Sequence, residues 1–200
     1  MGRARDIANV LSSSTNIALD SELGLSLITP TSIAATGGSG SISTSGAVSF
    51  TSASAISLNN VFSSNYDNYK VLFSGTASTA VGLELRLRVG GVDNSTASSY
   101  LRQFLRVENT VISGGRVTSN IARIGQTENN LRSSFELKIY NPFAATATPM
   151  NSLVTISESS AMIFDIHSVV HNVTSSFDGF TLNATAGTMT GTVSVYGYRK

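Results

Sequence analysis

Leu83-Glu84-Leu85-Arg86-Leu87-Arg88-Val89 sets an apolar side chain at every second position. A strand sends alternate side chains to opposite faces, so this run reads as a half-buried β-strand with its leucines inward and Glu84, Arg86 and Arg88 outward. Runs of the same kind recur over 46–50, 54–58, 68–74, 82–89, 100–108, 116–124, 133–140, 152–157, 162–170, 177–183 and 190–198. The alternation stops at Gly90-Gly91-Val92-Asp93-Asn94, Gly114-Gly115, Asn129-Asn130, Asn141-Pro142 and Asp178-Gly179, residues that accept positive φ or pre-set a turn. Gly114-Gly115 reads as a strand opening, and 143–151 as a small-residue loop. The pattern predicts an all-β fold, an antiparallel two-sheet β-sandwich of jelly-roll type.

Composition agrees. Ser and Thr supply 54 of the 200 residues, and small hydroxyls suit strand faces and turns better than helix interiors, where they compete with the backbone for hydrogen bonds. Hydrophobic residues at 41% argue against wholesale disorder, and no apolar run reaches the roughly 20 residues of a membrane helix. A formal net charge of +1 supplies no field for nucleic acid or anionic lipid, so neither nucleic-acid binding nor membrane insertion is expected. With no cysteine, disulfides, Cys-ligated zinc and thiol catalysis are all excluded. The Asn-x-Ser/Thr triplets at Asn94, Asn172 and Asn183 read as ordinary turn and strand-end residues.

The N-terminal part has a different character. Residues 2–11 can form at most one short amphipathic helix, with Ile7, Val10 and Leu11 on one face, and such a helix needs a docking surface. Leu23, Leu25 and Leu27 then alternate in an extended stretch suited to lying against another chain. Ala34-Ala35-Thr36-Gly37-Gly38-Ser39-Gly40-Ser41 reads as a flexible linker. The expected organisation is therefore an attachment arm over 1–33, a linker over 34–41 and a sandwich over 42–200.

No catalytic motif stands out. Gly-x-Ser-x-Gly and His-Glu-x-x-His are absent, and the glycines at 37–40 lack the Gly-Lys-Ser/Thr of a phosphate loop. The scattered carboxylates could be paired for glycoside cleavage only by the fold. The chain is read as non-enzymatic, without cofactor or metal. His167 and His171 share a strand face about 13 Å apart at ~3.3 Å per residue, too far for one metal, with Asp165 on that same face. They read as a polar stripe facing solvent or a subunit interface. Arg86, Arg88, Arg102 and Arg106 read as a charge ladder with Glu108, Glu128 or Glu136, or as interface residues. Phe62, Tyr66, Tyr69 and Phe73 read as core and corner packing, and Tyr196 and Tyr198 as an interface or a sugar-stacking face.

Four blocks carry a family resemblance. They are Gly2-Arg3-Ala4-Arg5-Asp6-Ile7-Ala8, Asp20-Ser21-Glu22-Leu23-Gly24-Leu25, Val61-Phe62-Ser63-Ser64-Asn65-Tyr66-Asp67-Asn68-Tyr69-Lys70-Val71 and Gly191-Thr192-Val193-Ser194-Val195-Tyr196-Gly197-Tyr198. Together they resemble small fibre-type virion proteins of tailed phages of marine cyanobacteria and other marine bacteria. The resemblance implies a homotrimeric β-rich virion appendage, held to other virion proteins by its N-terminal arm and displaying its sandwich toward a host-surface glycan. A long tail fibre is not implied, because the sequence has no internal repeat of a shaft. A capsid decoration protein and a carbohydrate-binding module are the alternative readings.

Overall fold

A computed structural model describes residues 24–157 and 162–200. Among them, sixteen strands run in chain order as β1 (Leu25–Ile28), β2 (Ser32–Thr36), β3 (Ser39–Ile42), β4 (Val48–Ala53), β5 (Ala55–Asn59), β6 (Asn68–Ala77), β7 (Val81–Val89), β8 (Val92–Asp93), β9 (Tyr100–Glu108), β10 (Val111–Ser119), β11 (Ala122–Thr127), β12 (Ser133–Tyr140), β13 (Thr148–Ser157), β14 (Met162–His171), β15 (Gly179–Ala184) and β16 (Met189–Tyr198). The large sheet has the order β10-β9-β14-β13-β12-β6-β16-β4-β3, with β1 also on β16. The small sheet has the order β11-β7-β15-β5-β2, with β8 also on β7. All the strand pairings are antiparallel.

Eight of these strands form a jelly roll. β4-β16-β6-β12 are neighbours in one sheet and β5-β15-β7-β11 in the other. The chain crosses between sheets at each step from β4 to β7, and again from β11 through β12 and β15 to β16, which wraps paired strands around one core. Two hairpins are inserted into that roll, β9–β10 between β7 and β11, and β13–β14 between β12 and β15. They pair with each other through β14 and β9, extending the large sheet as a four-stranded wing beyond β12.

The core follows the alternation. Leu83, Leu85 and Leu87 of β7 are buried against Val71 and Phe73 of β6, Leu137 of β12 and Val193 of β16, within one hydrophobic cluster. Each such side chain contributes about 1.5–3 kcal/mol on leaving water. Phe73 stacks on Phe135 with ring centroids 4.9 Å apart, and Phe62 meets Tyr69 edge-on at 4.7 Å. The corner expected at 62–69 is closed by the Tyr69 hydroxyl, which accepts from the Ser63 N–H at 2.8 Å and donates to the Ser63 carbonyl at 3.0 Å. Gly90, Gly91, Asn130 and Asn141, expected in turns, all adopt positive φ.

The N-terminal organisation differs from expectation. The stretch 34–41 is not a linker: β2 pairs with β5 and β3 pairs with β4, one on an edge of each sheet. Those edges would otherwise present unpaired N–H and C=O groups. Small residues allow the close approach, since a Cβ on Gly38 would run into the Thr51–Ser52 backbone. Ile33 and Ala35 pack against the core, and β1 pairs with β16, so residues 25–33 belong to the sandwich rather than to an arm. The helix expected within 2–11, and Ile7, Val10, Leu11 and Leu23, lie outside the described residues.

Two further boundaries moved. The run 116–124 is divided between β10 and β11, and Gly114-Gly115 lie inside β10, where a Cβ on Gly115 would sit 3.1 Å from the Phe104 ring. β13 begins at Thr148, so Pro149 is within a strand.

Candidate functional site

The wing gathers most of the charged residues singled out in the sequence. On β14 the side chains of Asp165, His167 and His171 point inward and are buried, while Met162, Phe164, Ile166 and Val170 point outward and are exposed. The histidines are therefore not a stripe facing solvent or a subunit interface. The wing's inward face runs past β11, and the buried polar groups there are held by partners from both sheets.

Asp165, 1% exposed, is the centre of this cluster. Arg106 of β9, its register partner, donates from Nε and Nη2 to the two carboxylate oxygens at 3.0 and 2.7 Å. Arg106 Nη2 also donates to Gln126 Oε1 of β11 at 2.6 Å, and Arg123 Nη2 donates to that oxygen at 2.8 Å. Arg102 lies over the Phe104 ring, 4.6 Å from its centroid, with Nη1 3.4 Å from His167 Nδ1. Burial pushes the His167 imidazole down to about 4, with the three arginines adding to the effect and Asp165 opposing it. Burial, followed by the repulsion of a neighbouring guanidinium, also lowers Arg102 and Arg123. The expected ladder is partly redirected: Arg106 lies 3.8 Å from Glu108, but Glu136 is taken by Lys70 at 2.6 Å and Lys138 at 3.5 Å.

His171 sits at the other end of β14. Its Nδ1 accepts from the Val173 N–H at 3.3 Å, which leaves the proton on Nε2 to reach Asn94 Oδ1 at 3.1 Å. The ring packs edge-on against Tyr100 and Phe177, and burial pushes it down to about 4. Arg88 is also buried: it donates to Thr181 Oγ1 at 2.7 Å and to the Gly91 carbonyl, and lies 3.4 Å from Asp93. It clamps the β7–β8 turn. Arg86, on the same face of β7, donates from Nε to the Asn120 carbonyl at 3.3 Å.

The outer face of the large sheet carries a second feature. In register across five strands run Leu72, Glu136, Leu153, Ile166 and Leu105, and beside them Phe164, Val107 and Ile112. Phe164 is 39% and Ile166 40% exposed. Toward β16 this apolar ridge gives way to a depression of about 430 Å³ bounded by Leu72, Leu153, Thr155 and the small side chains Ser74, Ser134 and Ser194. Tyr196 and Tyr198 lie half-buried on β16, where Leu27 and Leu25 of β1 are their register partners. Sequence reasoning missed this face and the role of Gln126. Its one signal was the second alternation, Met162, Phe164 and Ile166, interleaved with Asp165 and His167.

No protein-family model and no curated protein matches the sequence. Among solved structures, the chain is similar to the SPRY domain of human HERC1, at 9% identity and a TM-score of 0.27, over 77% of this chain and 98% of that one. It is similar to the binding domain of botulinum neurotoxin serotype G at 9% identity and a TM-score of 0.20, over 90% of this chain and 45% of the other. A family 29 carbohydrate-binding module from Piromyces equi gives 14% identity and a TM-score of 0.22, over 86% and 89%. Likeness at this level assigns no function.

Proposed function

We propose that this chain is a structural protein of a tailed-phage virion, a tail fibre or short tail appendage that assembles as a homotrimer. The sequence blocks supply the resemblance, and the outer face of the large sheet supplies the physical support. An exposed apolar ridge through Leu153, Phe164, Ile166 and Leu105 is costly to leave in water. The same face also carries a depression lined by Leu72 and Leu153. A ridge and a hollow on one surface are what a second copy of the chain can fill, and repetition of that contact around an axis closes a ring. The residues preceding β1 are the part left to engage a virion partner, and the sandwich is the part displayed to a host-surface glycan.

Size-exclusion chromatography with light scattering on the full chain tests the assembly: a species at three times the 20.9 kDa chain mass is expected, and a monomer at micromolar concentration would overturn it. Antibody labelling of particles tests the location. Signal at the tail supports the appendage, signal over the capsid lattice points to a decoration protein, and unlabelled particles exclude a virion role.

A further inference from the structure

We infer that the flank between β9, β14 and β11 is a binding site for an oxyanion, a carboxylate or sulfate group received by Arg102, Arg123 and His167. It is a cavity of about 200 Å³, the liquid volume of roughly six or seven waters, lined by Arg102, Arg106, Arg123, Asp165, His167 and Ser113, with Phe104 beneath Arg102.

The charge inside the cavity is unbalanced. Asp165 is the sole carboxylate among the lining residues, and its two oxygens are committed to Arg106. Glu84 and Glu108 act on the same arginines without lining the cavity. Arg102 and Arg123 thus hold guanidiniums in a partly dry space with neutral hydrogen-bond partners, His167 for one and Gln126 for the other. Placing charge there is unfavourable unless an opposite charge joins it.

The hydrogen bonds point the same way. Arginine only donates, so the contact between Arg102 Nη1 and His167 Nδ1 makes Nδ1 the acceptor and leaves the proton on Nε2. His167 is 2% exposed, and its Nε2 is buried without a hydrogen-bond partner, because the nearest oxygen of Asp165 stands at 3.8 Å. Arg102 Nε is buried and unpartnered as well. Arg102 and His167, each with an unmet donor, line the same cavity as the Arg123 guanidinium, and an oxyanion brings the lone pairs and the charge that such a lining lacks. The site is independent of the outer apolar face, because these residues alternate with the exposed ones on β9 and β14.

The test titrates the full chain at pH 7 with sodium sulfate and, separately, with sodium glucuronate, at ionic strength held constant with sodium chloride. Binding is read by calorimetry and by the side-chain imidazole signals in long-range ¹H–¹⁵N spectra. Saturable binding of either probe that shifts the His167 signals and leaves those of His171 in place is the expected result. Sulfate binding shows that the bare anion suffices; glucuronate binding alone shows that the group is read as part of an acidic saccharide. Arg102→Gln should weaken binding about tenfold or more, whereas Arg116→Gln, removing the same charge from the sheet's outer face, should leave it unchanged. Should Arg102→Gln fail to fold, the wild-type imidazole shifts decide alone. Neither probe moving His167, or both variants weakening binding equally, would overturn the proposal.

Discussion

Asp165 and Arg106 face each other across the β14–β9 pairing and are joined by two parallel hydrogen bonds, on a strand whose opposite face is apolar and exposed. The pair leaves both oxygens of the buried Asp165 carboxylate bonded to one guanidinium. Asp165→Ala leaves the arginines of the flank without their central carboxylate, and breaking a buried pair from one side costs about 3 kcal/mol or more. Urea unfolding of the variant should show that loss as a lowered midpoint with little change in slope. A loss below 1 kcal/mol would mean that the pair contributes little to the fold.

Acid should destabilise the fold through its histidines. The imidazoles of His167 and His171 are pushed by burial from 6.5 to about 4, so between those values the unfolded chain takes up protons that the native chain refuses. Their contribution is complete above pH 6.5 and falls as the pH drops toward 4, reaching a loss of about 2 kcal/mol per histidine at pH 5. The neighbouring charges are Asp165, Arg102, Arg106 and Arg123 at His167, while His171 faces Tyr100, Phe177 and Asn94. Thermal melts should therefore lose stability between pH 7 and pH 5, and His171→Gln should flatten that slope.

The hydroxyl of Tyr100 links the wing to the small sheet. It accepts from the Leu87 N–H at 2.9 Å and donates to the Asn94 carbonyl at 3.3 Å, and burial raises its pKa so that it stays protonated. Tyr100→Phe strands a backbone donor and an acceptor. The expected cost is about 1–3 kcal/mol, with amide exchange at Leu87 rising more than at Leu83.

The apolar ridge should matter to assembly and not to the fold of one chain. Ile166→Lys sits on the exposed face of β14, and surface changes of this kind usually stay within about 0.5 kcal/mol. Light scattering on the eluted species should show the variant as a monomer, and its chemical denaturation measured as a monomer should show no other loss. An unchanged assembly would place the interface elsewhere.

Gly38 tests the strands that replace the expected linker. A Cβ there meets the Thr51–Ser52 backbone, which has no rotamer to yield. Gly38→Ala should cost about 1–3 kcal/mol and raise amide exchange in β3 and β4. No effect would return this stretch to the status of a linker.

Much of the fold was legible because burial and strand geometry share a period of two. Leu83, Leu85 and Leu87 could only be sequestered together, and Gly90-Gly91, Asn130 and Asn141 marked turns because their backbones take positive φ. What failed was local composition: Ala34 to Ser41 reads as flexible until the open edges of β5 and β4 offer it hydrogen bonds.

The sequence by itself determined that this chain is β-rich, that its leucines and valines alternate into a core, and where most of its strands break, since these depend on neighbours along the chain. Only the tertiary structure decided that β14 buries Asp165, His167 and His171 and exposes Phe164 and Ile166. Both of its faces alternate equally well along the chain, and Arg106 of β9, which bonds Asp165, and Gln126 of β11, which bonds Arg106, are distant in sequence and meet the buried face only in the folded chain.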